Sequence, residues 1–209
     1  MKYTIFSLGN PERQKRIDGI REAMSEHDEF FVECVNGKDT EQLARNVAKY
    51  GFKHPAGSWR PGEAGLWYST INAWQWSVDN QETIITFEDD AIPVDTFKGV
   101  MADPQFPEDF DIASLYIPMR SPSQQLRFKF GPLFQEHGNI CVAYSAQGSA
   151  KILQLLRDEG LNWPVDIWIY KMGAAGKLNA YSPAQTSRVI IDHDFSLPTN
   201  IHKDKRVPT

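Results

Sequence analysis

The sequence runs through Thr83-Ile84-Ile85-Thr86-Phe87 straight into three acids, Glu88-Asp89-Asp90. The first five residues are β-branched or aromatic and have almost no polar face, which is typical of a central strand that helices cover on both sides. The acids mark its carboxyl end, where an open α/β sheet places its ligand crevice. This stretch therefore predicts the class of the fold and the position of its site.

A loop and a helix precede this strand. Glycine and proline recur through residues 51–62, which predicts an irregular loop. Residues 63–78 then carry apolar side chains at the spacing i, i+4, i+7 and i+11, namely Trp67, Ile71, Trp74 and Val78. That spacing predicts a helix with one buried face.

Strands and helices alternate along the rest of the chain. We expect further strands at 3–8, 30–35, 111–117, 139–145 and 188–192. Further helices are expected from residue 11 to about 24 and at 40–50, 147–159 and 165–172. This alternation predicts an α/β fold: one open, mixed and mostly parallel sheet, with parallel strands at its centre and helices flanking it. Residues 1–200 are expected to form a single domain, followed by a basic tail at 201–209.

The composition narrows the functional classes. The chain has 209 residues, of which 41% are hydrophobic, and a formal net charge of −5. This apolar content excludes intrinsic disorder, and the negative charge argues against sequence-independent binding to duplex DNA, which needs a basic surface. No apolar run approaches the roughly 18 residues of a membrane span, and the first residues do not resemble a signal peptide. Because the two cysteines lie away from any metal-ligand spacing, we expect reduced thiols and a cytoplasmic protein.

The acidic triplet itself has two interpretations. Three adjacent acids after an apolar strand need a cation, and their hard oxygen ligands suit Mg²⁺ or Mn²⁺ shared with substrate phosphates. In the alternative, they form an acidic turn in which one carboxylate caps the following helix. The residues alone leave both interpretations open.

Other segments stand in a fixed order around the triplet. In chain order they are Ser7-Leu8, the turn Pro11-Glu12-Arg13-Gln14-Lys15-Arg16, Gly62-Glu63-Ala64-Gly65, Ser69, Trp74, Pro164-Val165-Asp166 and Pro183-Ala184-Gln185. Together with the strand that ends in Glu88-Asp89-Asp90, this order resembles glycosyltransferase family 25, which includes lipopolysaccharide-assembly and collagen galactosyltransferases. The similarity covers residues 3 to about 195.

The resemblance implies a GT-A type fold, a nucleotide-sugar donor, of which a UDP-sugar is the expected one, and sugar transfer with inversion at the anomeric carbon. It also implies a divalent metal, Mn²⁺ or Mg²⁺, at Glu88, Asp89 and Asp90. A metal at this place stabilises the negative charge that develops on the leaving diphosphate. His193 follows the last expected strand and is a further candidate for the metal shell, with a surface histidine as its alternative.

Two acids are candidates for the catalytic machinery. Inversion needs a base near the acceptor hydroxyl, and the match to the family's late Pro-Val-Asp element puts Asp166 in that role or in positioning the sugar. Its alternative is to cap the helix that begins there. Glu63 matches a family position and is expected to contact donor or acceptor hydroxyls; otherwise it is a first-turn acid that the helix dipole favours.

Donor binding is expected at the first strand, the turn after it and the acidic triplet, at Ser7, Leu8, Arg13, Arg16, Glu88 and Asp89. Guanidinium groups match phosphate oxygens, whereas an arginine that is merely solvated on a helix surface is the alternative. Trp59 and Trp76 lie off the periodic face of the helix and are expected to stack on the acceptor, with burial against a neighbouring element as the alternative.

The chain departs from the family at two places. Leu66 and then Ser69-Thr70 stand where the family usually has a Cys and then Ser-His, and Gly9-Asn10 replaces the acidic residue often found after the opening Leu. Both departures leave the donor open, and the acceptor is open among a glycan, a protein side chain and a hydroxylated DNA base. The alternative function is a nucleotide-sugar-binding or interaction module of the same fold without turnover. A third, a two-metal phosphohydrolase, needs further His or Asp ligands that the sequence does not offer.

Overall fold

The structure is a computed structural model that describes residues 1–52, 60–94, 97–116, 130–132, 138–183 and 191–193. Its strands are β1 (Lys2–Phe6), β2 (Asp28–Glu29), β3 (Ile84–Glu88), β4 (Ala91–Pro93), β5 (Ile112–Ser114), β6 (Phe130–Pro132), β7 (Cys141–Tyr144), β8 (Ala180–Pro183) and β9 (Ile191–His193). Its helices are α1 (Gln14–Ala23), α2 (Thr40–Tyr50), α3 (Pro61–Asn80), α4 (Ala146–Glu159) and α5 (Val165–Ala174), with 3₁₀ turns at Pro11–Arg13 and Phe97–Ala102. None of the helices in the described ranges is long and apolar enough to cross a membrane.

Seven of these strands form one sheet in the order β2-β1-β3-β7-β5-β8-β6. Five of them, β2, β1, β3, β5 and β8, point in one direction, whereas β7 and β6 point in the other. The predicted α/β fold with an open, mixed and mostly parallel sheet is therefore confirmed. The reversed β7 in the middle of the sheet differs from the expected parallel centre, because a fully buried apolar strand carries no sequence signal of its direction.

The strand β3 is buried on both faces, as the sequence predicts. Ile84, Ile85 and Phe87 are all fully buried. Ile84 belongs to the cluster of buried side chains that contains the core of α3, whereas Ile85 and Phe87 belong to a second cluster that contains Ile20 of α1. Helices on both sides of the sheet therefore exclude water from its centre.

The helix α3 supplies an aromatic core on one side of the sheet. Trp67 and Trp74 are fully buried, which confirms the predicted apolar face. The ring of Trp67 meets that of Trp168 in α5 edge-on, with centroids 5.8 Å apart, and Trp74 meets Tyr144 of β7 in the same way at 5.5 Å. Aromatic pairs prefer this geometry. Trp67 Nε1 also donates to the Trp163 carbonyl at 2.8 Å, which holds the segment before α5 against α3.

The expected strand at 30–35 is wrong. β2 ends at Glu29, and residues 30–35 form no regular strand. The Phe30 N–H still donates to the Tyr3 carbonyl at 2.8 Å, but the Val35 N–H donates to the Ser69 hydroxyl of α3, also at 2.8 Å. Because a side chain of α3 satisfies the backbone here, the apolar segment packs as a loop instead of joining the sheet.

The strands β4 and β9 form a separate antiparallel pair, with Ala91 opposite His193. Asp90 directly precedes Ala91, so this pairing places the backbone of β9 beside the end of β3. The strand expected at 188–192 is observed at 191–193, and residues 188–190 lie outside the described residues. The predicted basic tail at 201–209 lies outside them as well.

Candidate active site

A cleft of about 670 Å³ opens at the carboxyl ends of β1 and β3. The two strands pair in parallel with Phe6 opposite Glu88, so that Ser7 and Leu8 leave the sheet beside the acids. Both residues line the cleft. The first turn of α3 and the start of α5 form further walls, and the cleft thus lies where an open α/β sheet places its ligands.

The cleft gathers acidic side chains from three elements. Glu88, Asp89 and Asp90 come from the end of β3, Glu63 from the first turn of α3, and Asp166 from the first turn of α5. The sequence predicts each of them as a site residue, although they span about 100 positions of the chain. The structure brings all five to one place.

The three acids at the end of β3 are called here the acidic turn (Glu88–Asp90), and two of them, Asp89 and Asp90, hold a buried cation. Arg13 Nη1 lies 3.0 Å from Asp89 Oδ1 and 2.6 Å from Asp90 Oδ2. The Arg13 side chain is only 5% exposed, and a protein tolerates such a buried charge when it is paired. Burial lowers the pKa of Arg13, but its hydrogen bond with Asp90 and the charges of Asp89, Asp90 and Glu88 raise it overall, so the guanidinium stays charged.

The acidic turn leads into β4 and not into a helix. The interpretation in which one of its carboxylates caps the following helix is therefore wrong. In this structure Asp89 and Asp90 have the guanidinium of Arg13 as their partner, and the metal interpretation stays a prediction.

Arg13 reaches the acidic turn from the 3₁₀ turn that follows β1. Asn10 begins this turn, because its Oδ1 accepts the Glu12 N–H at 3.1 Å, and Pro11 occupies the first position, where its fixed φ suits a helical turn. Arg16 lies further along, in α1, and does not line the cleft. Of the two arginines that the sequence predicts for donor binding, Arg13 therefore lines the cleft and Arg16 does not.

Glu88 and Asp166 lie close enough for their charges to interact. Burial raises the pKa of Glu88 to about 8, and the carboxylates of Asp90, Asp166 and Asp89 add to this rise. Burial also raises the pKa of Asp89, while a hydrogen bond with Ser7 acts against that rise. Crowded carboxylates with raised pKa values are typical of functional sites. A further cation in this cleft would relieve their mutual repulsion.

Asp166 and Glu63 each accept a backbone hydrogen bond in the first turn of a helix in addition to lining the cleft. Asp166 Oδ1 accepts the Ile167 N–H at 2.9 Å in the first turn of α5. Glu63 Oε2 accepts the Arg60 N–H at 2.8 Å, which is half of a capping box at the start of α3. The first-turn role that the sequence offers as the alternative for Glu63 is therefore observed. Asp166 is not the cap of its helix, because Pro164 takes that position in α5 and no side chain of the described residues caps the helix there.

Two glycines bring residues 35–38 against the first turn of α3. A Cβ on Gly65 would lie 2.4 Å from the Val35 carbonyl oxygen, and one on Gly37 would lie 1.7 Å from the Pro61 carbonyl oxygen. Only a residue without a side chain allows such an approach. This contact makes residues 36–38 a wall of the cleft and explains why glycine stands at position 65.

The cleft also contains polar residues that the sequence analysis does not identify. Lys38, Arg60 and Asn139 all line it. None of them belongs to a motif, and Lys38 comes to the cleft only through the close approach at Gly37. Lys38, Arg60 and Arg13 are cations, so the described part of the lining contains positive as well as negative side chains. Such a lining suits a ligand that carries both negative and neutral polar groups.

The aromatic residues expected at the acceptor do not form part of the described cleft. The ring of Trp76 stacks on that of Phe30, with centroids 3.9 Å apart and planes 20° apart, which is the packing that the burial alternative describes. Trp59 lies outside the described residues. His193 pairs with Ala91 through the backbone beside the acidic turn, and its side chain also lies outside the description.

The acidic residues fit a metal that is shared with a ligand better than an all-protein metal site. Within the described ranges, no group of three or more His, Cys, Asp and Glu side chains is arranged to hold a metal ion. Mg²⁺-like ions at phosphate sites need only one or two carboxylates, since substrate phosphates and waters complete the shell. Asp89 and Asp90 meet this smaller requirement, because a carboxylate can bridge a guanidinium and a metal through its two oxygens.

Comparison with known proteins identifies the type of fold. No protein-family model matches this chain, and no protein of curated function matches it. Among solved structures, the chain is similar to a mutant of Drosophila β-1,4-galactosyltransferase 7 in complex with manganese, UDP-Gal and xylobiose, with a TM-score of 0.50 and 8% identity. The similarity covers 100% of this chain and 75% of that one. The fold is of the GT-A type. The predicted fold is thereby confirmed, whereas membership of glycosyltransferase family 25 stays a prediction.

Proposed function

We propose that this protein is a glycosyltransferase that moves a sugar from a nucleotide-sugar donor to an acceptor hydroxyl with the help of a divalent metal. The observation that carries the proposal is one cleft at the carboxyl ends of β1 and β3 that contains the acidic turn, Arg13 and Asp166. The GT-A type fold supports it, as does the galactosyltransferase of similar fold that was solved with UDP-Gal and manganese.

The donor diphosphate is proposed to lie between the acidic turn and the basic residues of the cleft. Asp89 and Asp90 are the first proposed metal ligands, with Glu88 and His193 as further candidates, and Ser7, Leu8 and Arg13 are the proposed neighbours of the nucleotide. Mn²⁺ or Mg²⁺, when bound there, supplies positive charge to the leaving diphosphate. Arg13 offsets the negative charge of Asp89 and Asp90 and holds the two carboxylates in position. Lys38 and Arg60 add positive charge for the phosphates.

Asp166 is the proposed base of an inverting transfer. The base must lie within hydrogen-bond reach of the acceptor hydroxyl, on the face of the sugar opposite the diphosphate. Asp166 comes from α5, whereas the acidic turn comes from β3, so the two groups approach the cleft from different elements. Glu63, on the first turn of α3, is proposed to bind a sugar hydroxyl.

The acceptor and the setting of the reaction belong to the same proposal. Of the three acceptor classes, a glycan is favoured, because the galactosyltransferase of similar fold was solved with xylobiose. A UDP-sugar is favoured as the donor for the corresponding reason. A single catalytic domain over residues 1–200 and a cytoplasmic location complete the proposal.

One observation favours the alternative of a binding module without turnover. Arg13 already occupies the acidic turn with its positive charge. A nucleotide sugar can then bind without metal, and the module needs no base. The glycosyltransferase therefore needs a metal to bind its donor, whereas the binding module does not.

A thermal-shift panel of nucleotide sugars, each with Mn²⁺ and with chelator, tests the proposal. We expect a nucleotide sugar to raise the Tm only in the presence of the metal, and Asp90→Asn to remove that metal-dependent shift. Asp158→Asn is the matched control, because Asp158 is an exposed acid on α4 that does not line the cleft. Stabilisation without metal points to the binding module, and a panel without any stabilising nucleotide sugar refutes both.

A further inference from the structure

Asn139 lies in the cleft and has no role in the function proposed above. It is 3% exposed and lines the cleft just before β7. Among the residues that the structure describes, its Nδ2 atom has no hydrogen-bond partner. A buried amide N–H without a partner is rare in folded proteins, because leaving water without a new hydrogen bond costs free energy. A ligand that enters the cleft can supply the acceptor that this atom lacks among the described residues.

The orientation of the Asn139 amide follows from Tyr144. The Tyr144 hydroxyl donates to Asn139 Oδ1 at 3.0 Å. Burial raises the pKa of Tyr144 well above its usual value, so its hydroxyl keeps the proton that it donates. A buried phenol needs an acceptor, and Oδ1 supplies it. With Oδ1 turned to Tyr144, Nδ2 is the atom that remains for a ligand.

The surroundings of Asn139 indicate which acceptor it binds. The next residue, Ile140, accepts the backbone N–H of Glu88 at 2.9 Å, so Asn139 lies beside the end of β3 and the acidic turn. Asp166 lines the same cleft and interacts with Glu88. A phosphate among these carboxylates is repelled unless a metal lies between them. A neutral hydroxyl is not repelled, and it can accept from an amide while it donates to a carboxylate.

We infer that Asn139 is a specificity residue that binds a hydroxyl oxygen of the transferred sugar through its side-chain N–H. The inference rests on the proposed function and adds to it the contact that distinguishes a nucleotide sugar from the nucleotide alone. The neighbouring acidic turn, proposed to hold the diphosphate, places this contact at the donor sugar and not at the acceptor. Oδ1 and Tyr144 hold the amide in position before the ligand arrives, which lowers the entropy cost of binding.

The test compares the affinities of UDP and of UDP-sugars by isothermal titration calorimetry with Mn²⁺. Asn139→Leu removes the amide at similar volume, and Tyr144→Phe breaks the same Tyr144–Asn139 bond but keeps the amide. We expect Asn139→Leu to weaken the best-binding UDP-sugar about tenfold while UDP binds as before, since losing one hydrogen bond to a buried group has an effect of this order. Tyr144→Phe is expected to lose less UDP-sugar affinity than Asn139→Leu.

Asn139→Asp keeps an acceptor for Tyr144 and is the second variant, should Asn139→Leu lower the Tm strongly; it is expected to lose UDP-sugar affinity in the same way. Equal UDP-sugar affinity in wild type and the Asn139 variants overturns the inference and leaves the proposed function standing. An equal loss for UDP and UDP-sugar overturns it too, as does a loss in Tyr144→Phe as large as that in Asn139→Leu. If wild-type protein binds no UDP-sugar, the proposed function fails and the inference fails with it.

Discussion

Replacing Arg13 with methionine leaves the acidic turn with its carboxylates but without the internal cation. Arg13 contacts Asp89 and Asp90 at 3.0 and 2.6 Å, and the three side chains are 5%, 18% and 9% exposed. Removing one partner from a buried charge cluster of this kind costs about 3–5 kcal/mol, because the remaining charges stay in a medium of low polarity. We expect Arg13→Met to lower the free energy of unfolding by about 3 kcal/mol, a large part of the total stability of a typical domain.

Urea denaturation, followed by the fluorescence of the six tryptophans, measures this loss. Arg21→Met is the matched control, because the Arg21 guanidinium pairs with Glu29 at 2.9 Å while its side chain is 44% exposed. An exposed pair contributes less than about 1 kcal/mol. Adding Asp90→Asn to Arg13→Met is expected to restore part of the loss, and Mn²⁺ is expected to stabilise Arg13→Met more than wild type. If Arg13→Met costs no more than Arg21→Met, the buried ion pair does not organise the site.

Three further predictions concern packing, pH and catalysis. Gly65→Ala places a Cβ 2.4 Å from the Val35 carbonyl oxygen, so we expect a loss of about 1–3 kcal/mol in urea denaturation, whereas Gly19→Ala, with open space around it, is expected to be neutral or stabilising. The pKa of Glu88 is raised from 4.5 to about 8 in the folded state, so the metal-free protein holds a proton there that the unfolded chain has lost. The free energy of unfolding should therefore fall as the pH rises from 5 to 8. Glu88→Gln should flatten this pH dependence, and an unchanged dependence would show that Glu88 does not cause it. Asp166→Asn should keep UDP-sugar affinity in calorimetry and lower the rate of sugar transfer at least about 100-fold; retained transfer removes Asp166 from the role of base.

The strand β3 and the helix α3 were predictable because each carries its own pattern. Five apolar residues followed by acids identify a buried strand and its carboxyl end. The spacing of Trp67 and Trp74 identifies the buried face of α3, and both side chains are fully buried. Such signals are local, so they hold without knowledge of what lies opposite.

The contacts that complete the site depend on long-range pairing, which the sequence does not encode locally. Arg13 meets the acidic turn only because β1 and β3 pair in parallel, and nothing near residue 13 indicates this. The segment 30–35 has a strand-like composition, but a hydroxyl of α3 satisfies its backbone at Val35. Asn139 carries no motif at all, and its significance appears only from the burial of Nδ2 in the cleft.

The central claim is that the acidic turn and a metal together hold the diphosphate of a nucleotide. A crystal grown with UDP and Mn²⁺, measured at a wavelength where manganese scatters anomalously, tests this most directly. We expect one anomalous peak within bonding distance of a carboxylate of the acidic turn and of the UDP phosphates, with Asp89 and Asp90 still contacting Arg13. An ordered UDP elsewhere on the protein, or a nucleotide in the cleft with manganese away from the acidic turn, would contradict the account.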